Sequence, residues 1–176
     1  MAIITPAMML IVLIVTLLSC ISDVRSLRIH NLNSLVILFC FFPAYFASPE
    51  SFNDFWQHIA AMAGMFAVTY IMFTFGMMGG GDSKLATALG LWTGLKGLMP
   101  FMFYMAVMGG LIGFISLVIL RKRPFRSPRP GSWVAELQEG RNAVPYGVAI
   151  SFGFWAALFH TGFAHNQLNE VLKIIH

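Results

Sequence analysis

Long apolar runs alternate with short polar connections along almost the whole chain. A membrane-spanning helix needs about 20 mostly apolar residues. Six stretches approach that length, at roughly 3–22, 32–48, 57–77, 84–98, 100–120 and 144–163. The fourth is short and glycine-rich, which predicts a tilted or partial crossing. The second is also short, and Pro43 inside it is a candidate kink. The pattern predicts an all-α integral membrane protein, a bundle of about six transmembrane helices. No polar region is long enough to fold separately, so 1–176 is expected to form a single membrane domain. The first run starts without a basic lead-in or a small-residue cleavage site, and it reads as a retained span.

Composition agrees with the pattern. The chain is 58% hydrophobic and 10% charged, whereas a soluble domain carries roughly 25% charged residues. So few charges cannot clothe a globular surface in water. The 12 methionines and 17 phenylalanines are expected to face lipid or fill the core. Cys20 and Cys40 lie inside apolar runs with no CxxC pair, which predicts neither a zinc site nor a disulfide framework. His58, His160, His165 and His176 are scattered near one set of predicted span ends, a poor arrangement for a metal site.

The basic residues orient the bundle. With the N-terminus outside, the inner connections hold Arg25, Arg28, Lys84, Arg121, Lys122, Arg123, Arg126, Arg129 and Arg141. The outer segments hold only Lys96 and Lys173, so nine of the 11 Lys and Arg fall inside. The positive-inside rule selects that orientation. The loop at about 121–143, rich in arginine and proline, is then cytoplasmic and anchors the topology beside anionic lipid. The net charge of +4 therefore carries no message about nucleic acid.

In this topology Asp23 ends the first span and Asp82 opens the fourth on the same side. Glu50, Asp54 and Glu170 fall in outer segments, and Glu136 and Glu139 in the basic loop. A carboxyl at the membrane edge is costly unless it is solvated, paired or functional. Two carboxyls in contact share a proton and can hydrolyse a peptide, one taking a proton from water while the other polarises the carbonyl. Gly79, Gly80 and Gly81 would let a substrate backbone approach closely. Plainer readings stay open on these residues alone. Asp82 with Ser83 could cap the fourth helix, Asp23 could pair with Arg25 or Arg28, and either carboxyl could couple ions. Lys84 could be an inner-edge anchor or could tune the aspartates. Gly90 with Gly94, and Gly109 with Gly113, have G-x-x-x-G spacing and predict close helix packing.

Three segments then carry a resemblance. "GGGDSKLATALGLWTG" at 79–94 resembles the GxGD segment of the type IV prepilin peptidases, a family of membrane aspartyl proteases. "SDVRSLRIHN" at 22–31 resembles that family's first aspartate segment, which usually reads Asp, six residues, Pro-Asn. "VPYGVAISFG" at 144–153 is similar to its proline-tyrosine-glycine segment. The resemblance implies a prepilin leader peptidase of a bacterial or archaeal plasma membrane. Asp23 and Asp82 would be its catalytic pair, facing the cytoplasm, with no metal or other cofactor. Its partner would be a prepilin or pseudopilin precursor, besides membrane lipid. Gly79, Gly80, Gly81, Lys84, Asn31, Pro145, Tyr146 and Gly147 would support the site, with Asn142 just before the last span. His30 stands where the family usually has proline. The larger members carry a cysteine-rich cytoplasmic region and also N-methylate the trimmed pilin. This chain instead resembles the short, peptidase-only form of tight-adherence (Flp-type) pilus systems. The competing expectations are a non-enzymatic assembly subunit of a pilus or secretion machine and a small ion-coupled transporter.

Overall fold

A computed structural model describes residues 3–140 and 144–175; Arg141, Asn142 and His176 lie outside them. The described chain is all-α. Its helices are α1 (Ile4–Ser26), α2 (Asn31–Ala47), α3 (Phe55–Thr74), α4 (Gly80–Lys122), α5 (Trp133–Gln138), α6 (Tyr146–His160) and α7 (Phe163–Ile175), with a short 3-10 turn at Pro49–Ser51. Each predicted apolar stretch is helical. By length and apolarity, α1, α3 and α4 can each cross a membrane, and α6 with α7 makes a fourth span if that pair, bent by 68°, is counted as one. The expected six and this count of three or four differ for two reasons. α2 has only 17 residues and runs helical through Pro43, and α4 covers two of the predicted stretches.

The 43 residues of α4 would extend about 65 Å if straight, twice a hydrocarbon core of about 30 Å. The helix is broken at Gly94, whose φ of 59° and ψ of −179° lie in a region open essentially to glycine. Pro100, six residues on, removes one further main-chain donor. The halves on either side of the break make their tightest contacts with different helices, although Leu98, just past the break, still faces Gly64 of α3. In the first half, Ser83 Oγ donates to Thr69 Oγ1 of α3 at 3.0 Å, and the Trp92 indole N–H donates to the Ile37 carbonyl of α2 at 2.9 Å. Gly90 lies so close to α3 that a methyl there would sit 2.9 Å from Met65 Cβ. In the second half, a methyl on Gly153 of α6 would sit 2.7 Å from the Met105 main-chain nitrogen. The expected glycine pairs thus divide. Gly90 packs as predicted, Gly94 makes the break, a methyl on Gly109 would sit 3.8 Å from Ala149 Cβ, and one on Gly113 would meet nothing within 4 Å.

The core centres on α4 and includes the fully buried Phe41, Trp92, Phe101 and Phe154. α1 joins its neighbours through small polar contacts, the kind that glue helices inside a bilayer. Thr5 donates to the Ala44 carbonyl, Asn33 to Ser19 Oγ, and the Trp155 indole N–H to Thr16 Oγ1. Large apolar side chains such as Phe39, Phe46, Phe103 and Phe114 point outward, as a lipid-facing surface requires. The basic loop is partly ordered. Ser132 caps α5 by accepting from the Ala135 N–H, and Leu137 buries against Ile119 beside Leu27, folding the loop over the ends of α1 and α4.

Candidate active site

α1 stops within one turn of Asp23. Leu27 takes a left-handed conformation, φ 52°, and its N–H closes on the Asp23 carbonyl at 2.8 Å. Ser22 Oγ then donates to the Arg28 carbonyl at 2.6 Å, which ties the turn back to the helix end. His30 precedes α2 with φ −70° and ψ 134°, a backbone that proline would also adopt. The turn after Asp23 therefore keeps the shape a proline would impose.

Asp23 is buried, 3% exposed. Its Oδ2 accepts the main-chain N–H of Gly147, at the start of α6, at 2.7 Å. Among the described residues it makes no ion pair with Arg25 or Arg28. Asp82 stands in the first turn of α4, where its Oδ2 accepts the Gly79 N–H at 3.1 Å. That bond is half of a capping box, so the capping expectation holds for one oxygen. The other, Oδ1, is buried without a hydrogen-bond partner among the described residues.

The two aspartates, 59 positions apart in the sequence, face the same space. A cavity of about 410 Å³ is lined by both together with Arg28, Asn31 and Gly79 to Gly81. A second, of about 270 Å³, is lined by both together with Gly79, Met78, Val144 and Tyr146. Both lie where the end of α1 meets the start of α4; the first extends along the turn into α2 and the second reaches the start of α6. Gly81 passes close to the first turn, since a methyl there would sit 3.1 Å from the Ile29 carbonyl.

The other expected residues divide by position. Lys84 does not line either cavity. Its Nζ donates to Asn31 Oδ1 at 3.0 Å, a bridge between the two aspartate segments. Pro145 is buried at the N-cap of α6 and sets the direction from which the Gly147 N–H reaches Asp23. Arg28 was read as an inner basic anchor and a possible partner of Asp23, and Ile29 was not singled out. Their place at the cavity follows from the tight turn after Asp23, which residue types alone do not reveal. Cys20 is free and half-buried, with Sγ 3.6 Å from the Gly147 carbonyl. Among the described residues no group of three His, Cys, Asp or Glu side chains is arranged to hold a metal ion. Two carboxyls on one open, partly polar cleft can share a proton and activate a water.

An all-helical membrane protein with two carboxyls converging at one end of its bundle is the class that fold and site define. The model of the type IV leader peptidase family matches residues 10–114 of this chain, and the chain belongs to that family. A stretch of 82 residues, 47% of the chain, is 29% identical to a prepilin leader peptidase/N-methyltransferase of Xanthomonas campestris pv. campestris. The stretch spans 23% of that relative's length. No solved structure matches.

Proposed function

We propose that this chain is a membrane aspartyl endopeptidase that cleaves the leader peptide from type IV prepilin-like precursors at the cytoplasmic face. The observation that carries the reading is the convergence of Asp23 and Asp82 on one cavity. Family membership and the sided distribution of basic residues support it.

In the reaction, one carboxylate removes a proton from a water held between the pair. The water oxygen attacks the scissile carbonyl while the other carboxyl, protonated, hydrogen-bonds the carbonyl oxygen. Collapse of the tetrahedral adduct breaks the C–N bond. The departing amine takes the proton that the first carboxyl removed, leaving a leader carboxylate and a new N-terminus. The N–H groups of Gly147 and Gly79 hold Asp23 and Asp82 in place through one oxygen each. No metal is assigned a role. Flanking glycines leave room for an extended substrate backbone beside Asp82.

Coexpression with a candidate prepilin tests the reading. A faster-migrating, leader-free product should appear with the unaltered chain and vanish with Asp23→Asn or Asp82→Asn. An assembly subunit would leave the precursor uncut in every case, and a transporter would show ion-dependent flux instead.

A further inference from the structure

A third polar cavity lies at the opposite end of the bundle from the aspartates. It is a partly open cleft of about 130 Å³ beside the break in α4, lined by Asn53, His58, Thr93, Lys96, Thr161 and Asn166, among others. Twelve residues of α4 separate Asp82 from Gly94, a rise of about 18 Å, so the leader-cleavage reading makes no use of this space.

Its polar groups are of two kinds. Lys96 is the one full charge in the lining, and no carboxylate joins it. Its ammonium and the amides of Asn53 and Asn166 can all donate. The acceptors are the hydroxyl oxygens of Thr93 and Thr161, with the His58 ring packed behind them. A helix break at Gly94 takes the Leu91 carbonyl off the regular ladder, and His58 Nδ1 meets that carbonyl at 2.7 Å. A carbonyl only accepts, so Nδ1 carries the hydrogen and Nε2 of the neutral ring keeps its lone pair. His58 is 2% exposed, and its Nε2 is buried without a partner among the described residues. The hydroxyls of Thr93 and Thr161 already donate to the Gly90 and Ala157 carbonyls, and so they offer only acceptor capacity.

A ligand that satisfies this set carries an anionic group for Lys96 and a hydrogen-bond donor for the acceptors. The surroundings add that it is amphiphilic. α7 turns away from α6 by 68°, supplies Asn166 to the cavity wall, and leaves Leu168 and Leu172 exposed beside it. A helix with such an apolar flank lies against acyl chains. We propose that the cavity binds the phosphodiester headgroup of a phospholipid whose headgroup also bears a hydroxyl, as in phosphatidylglycerol. The phosphate meets Lys96 and the asparagine amides, and the hydroxyl donates to the threonine oxygens of Thr93 and Thr161 that line the same space.

The full chain, purified in a neutral detergent and stripped of lipid, is titrated separately with dihexanoyl phosphatidylglycerol, dihexanoyl phosphatidylcholine and inorganic phosphate. Native mass spectrometry counts bound molecules, and the thermal midpoint is followed in parallel. Phosphatidylglycerol should bind saturably, one per chain, and raise the midpoint. Phosphatidylcholine, whose headgroup has no donor, should bind at least tenfold more weakly. Lys96→Gln should weaken phosphatidylglycerol binding by tenfold or more. Equal binding by inorganic phosphate with the same Lys96 dependence would overturn the headgroup assignment in favour of a free anion. Absence of saturable binding, or binding indifferent to Lys96→Gln, would overturn the site itself.

Discussion

The main-chain N–H of Gly147 donates to Oδ2 of Asp23 at 2.7 Å, joining residues 124 positions apart. A methyl added at Gly147 would sit 2.9 Å from that oxygen and 2.9 Å from Ile29 Cδ1. Gly147→Ala should therefore displace the Asp23 carboxylate. Cleavage per folded molecule should fall by tenfold or more, while the protein stays near its usual abundance. The control is Gly153→Ala, six residues along α6, where the methyl would meet the Met105 main chain at 2.7 Å. Overpacking of that kind costs about 1–3 kcal/mol, so abundance should drop and activity per molecule survive. Activity and abundance, measured separately for both variants, check the contrast.

The Lys84–Asn31 bridge is exposed at both ends, so its loss should change stability within about 0.5 kcal/mol. It nevertheless ties the segment after Asp23 to the segment after Asp82. Lys84→Met and Asn31→Ala should each lower cleavage, and the double change should be no worse than the stronger single one. Effects that multiply would mean the two side chains act separately.

Gly94→Ala should destabilise the protein by about 1–3 kcal/mol, because the backbone there is closed to other residues and a methyl would crowd Asn53 and His58 at 3.1 Å. Gly113→Ala, with no neighbour within 4 Å, should be neutral or slightly stabilising. Thermal midpoints in detergent compare the two.

These glycines illustrate what a sequence discloses in this fold. Asp23 and Asp82 stood out because ionisable groups are rare and costly in an apolar chain. Placing them at one end needed only span counting and the split of basic residues. The helical character of each apolar run was equally plain. The role of Gly147 was not readable from residue type, because its contribution is a main-chain N–H positioned by tertiary packing. Gly94 was hidden for a related reason. Its spacing from Gly90 matches a packing motif, and only its φ distinguishes a break from a contact. The merging of two apolar stretches into α4 followed from the same point, since no polar connection marks a bend made by one glycine. α5 was missed because six residues in a basic, proline-rich loop carry too little periodicity to read.

Sidedness has its own check. A single cysteine at position 130, in a chain lacking Cys20 and Cys40, should react with a membrane-impermeant thiol reagent only after the cells are opened. Ready labelling in intact cells would place the basic loop outside and remove the cytoplasmic site.

The central claim is that Asp23 and Asp82 act as one unit, and cleavage per folded molecule in Asp23→Asn, Asp82→Asn and the double variant tests it most directly. Groups that share one proton and one water are strongly non-additive. Each single change should remove nearly all cleavage, and the double change should cost little more than either. A purely capping role for Asp82 would cost about 1 kcal/mol of stability and spare the activity of each surviving molecule. Substantial normalised activity in the single variants, with effects that multiply in the double variant, would contradict the account.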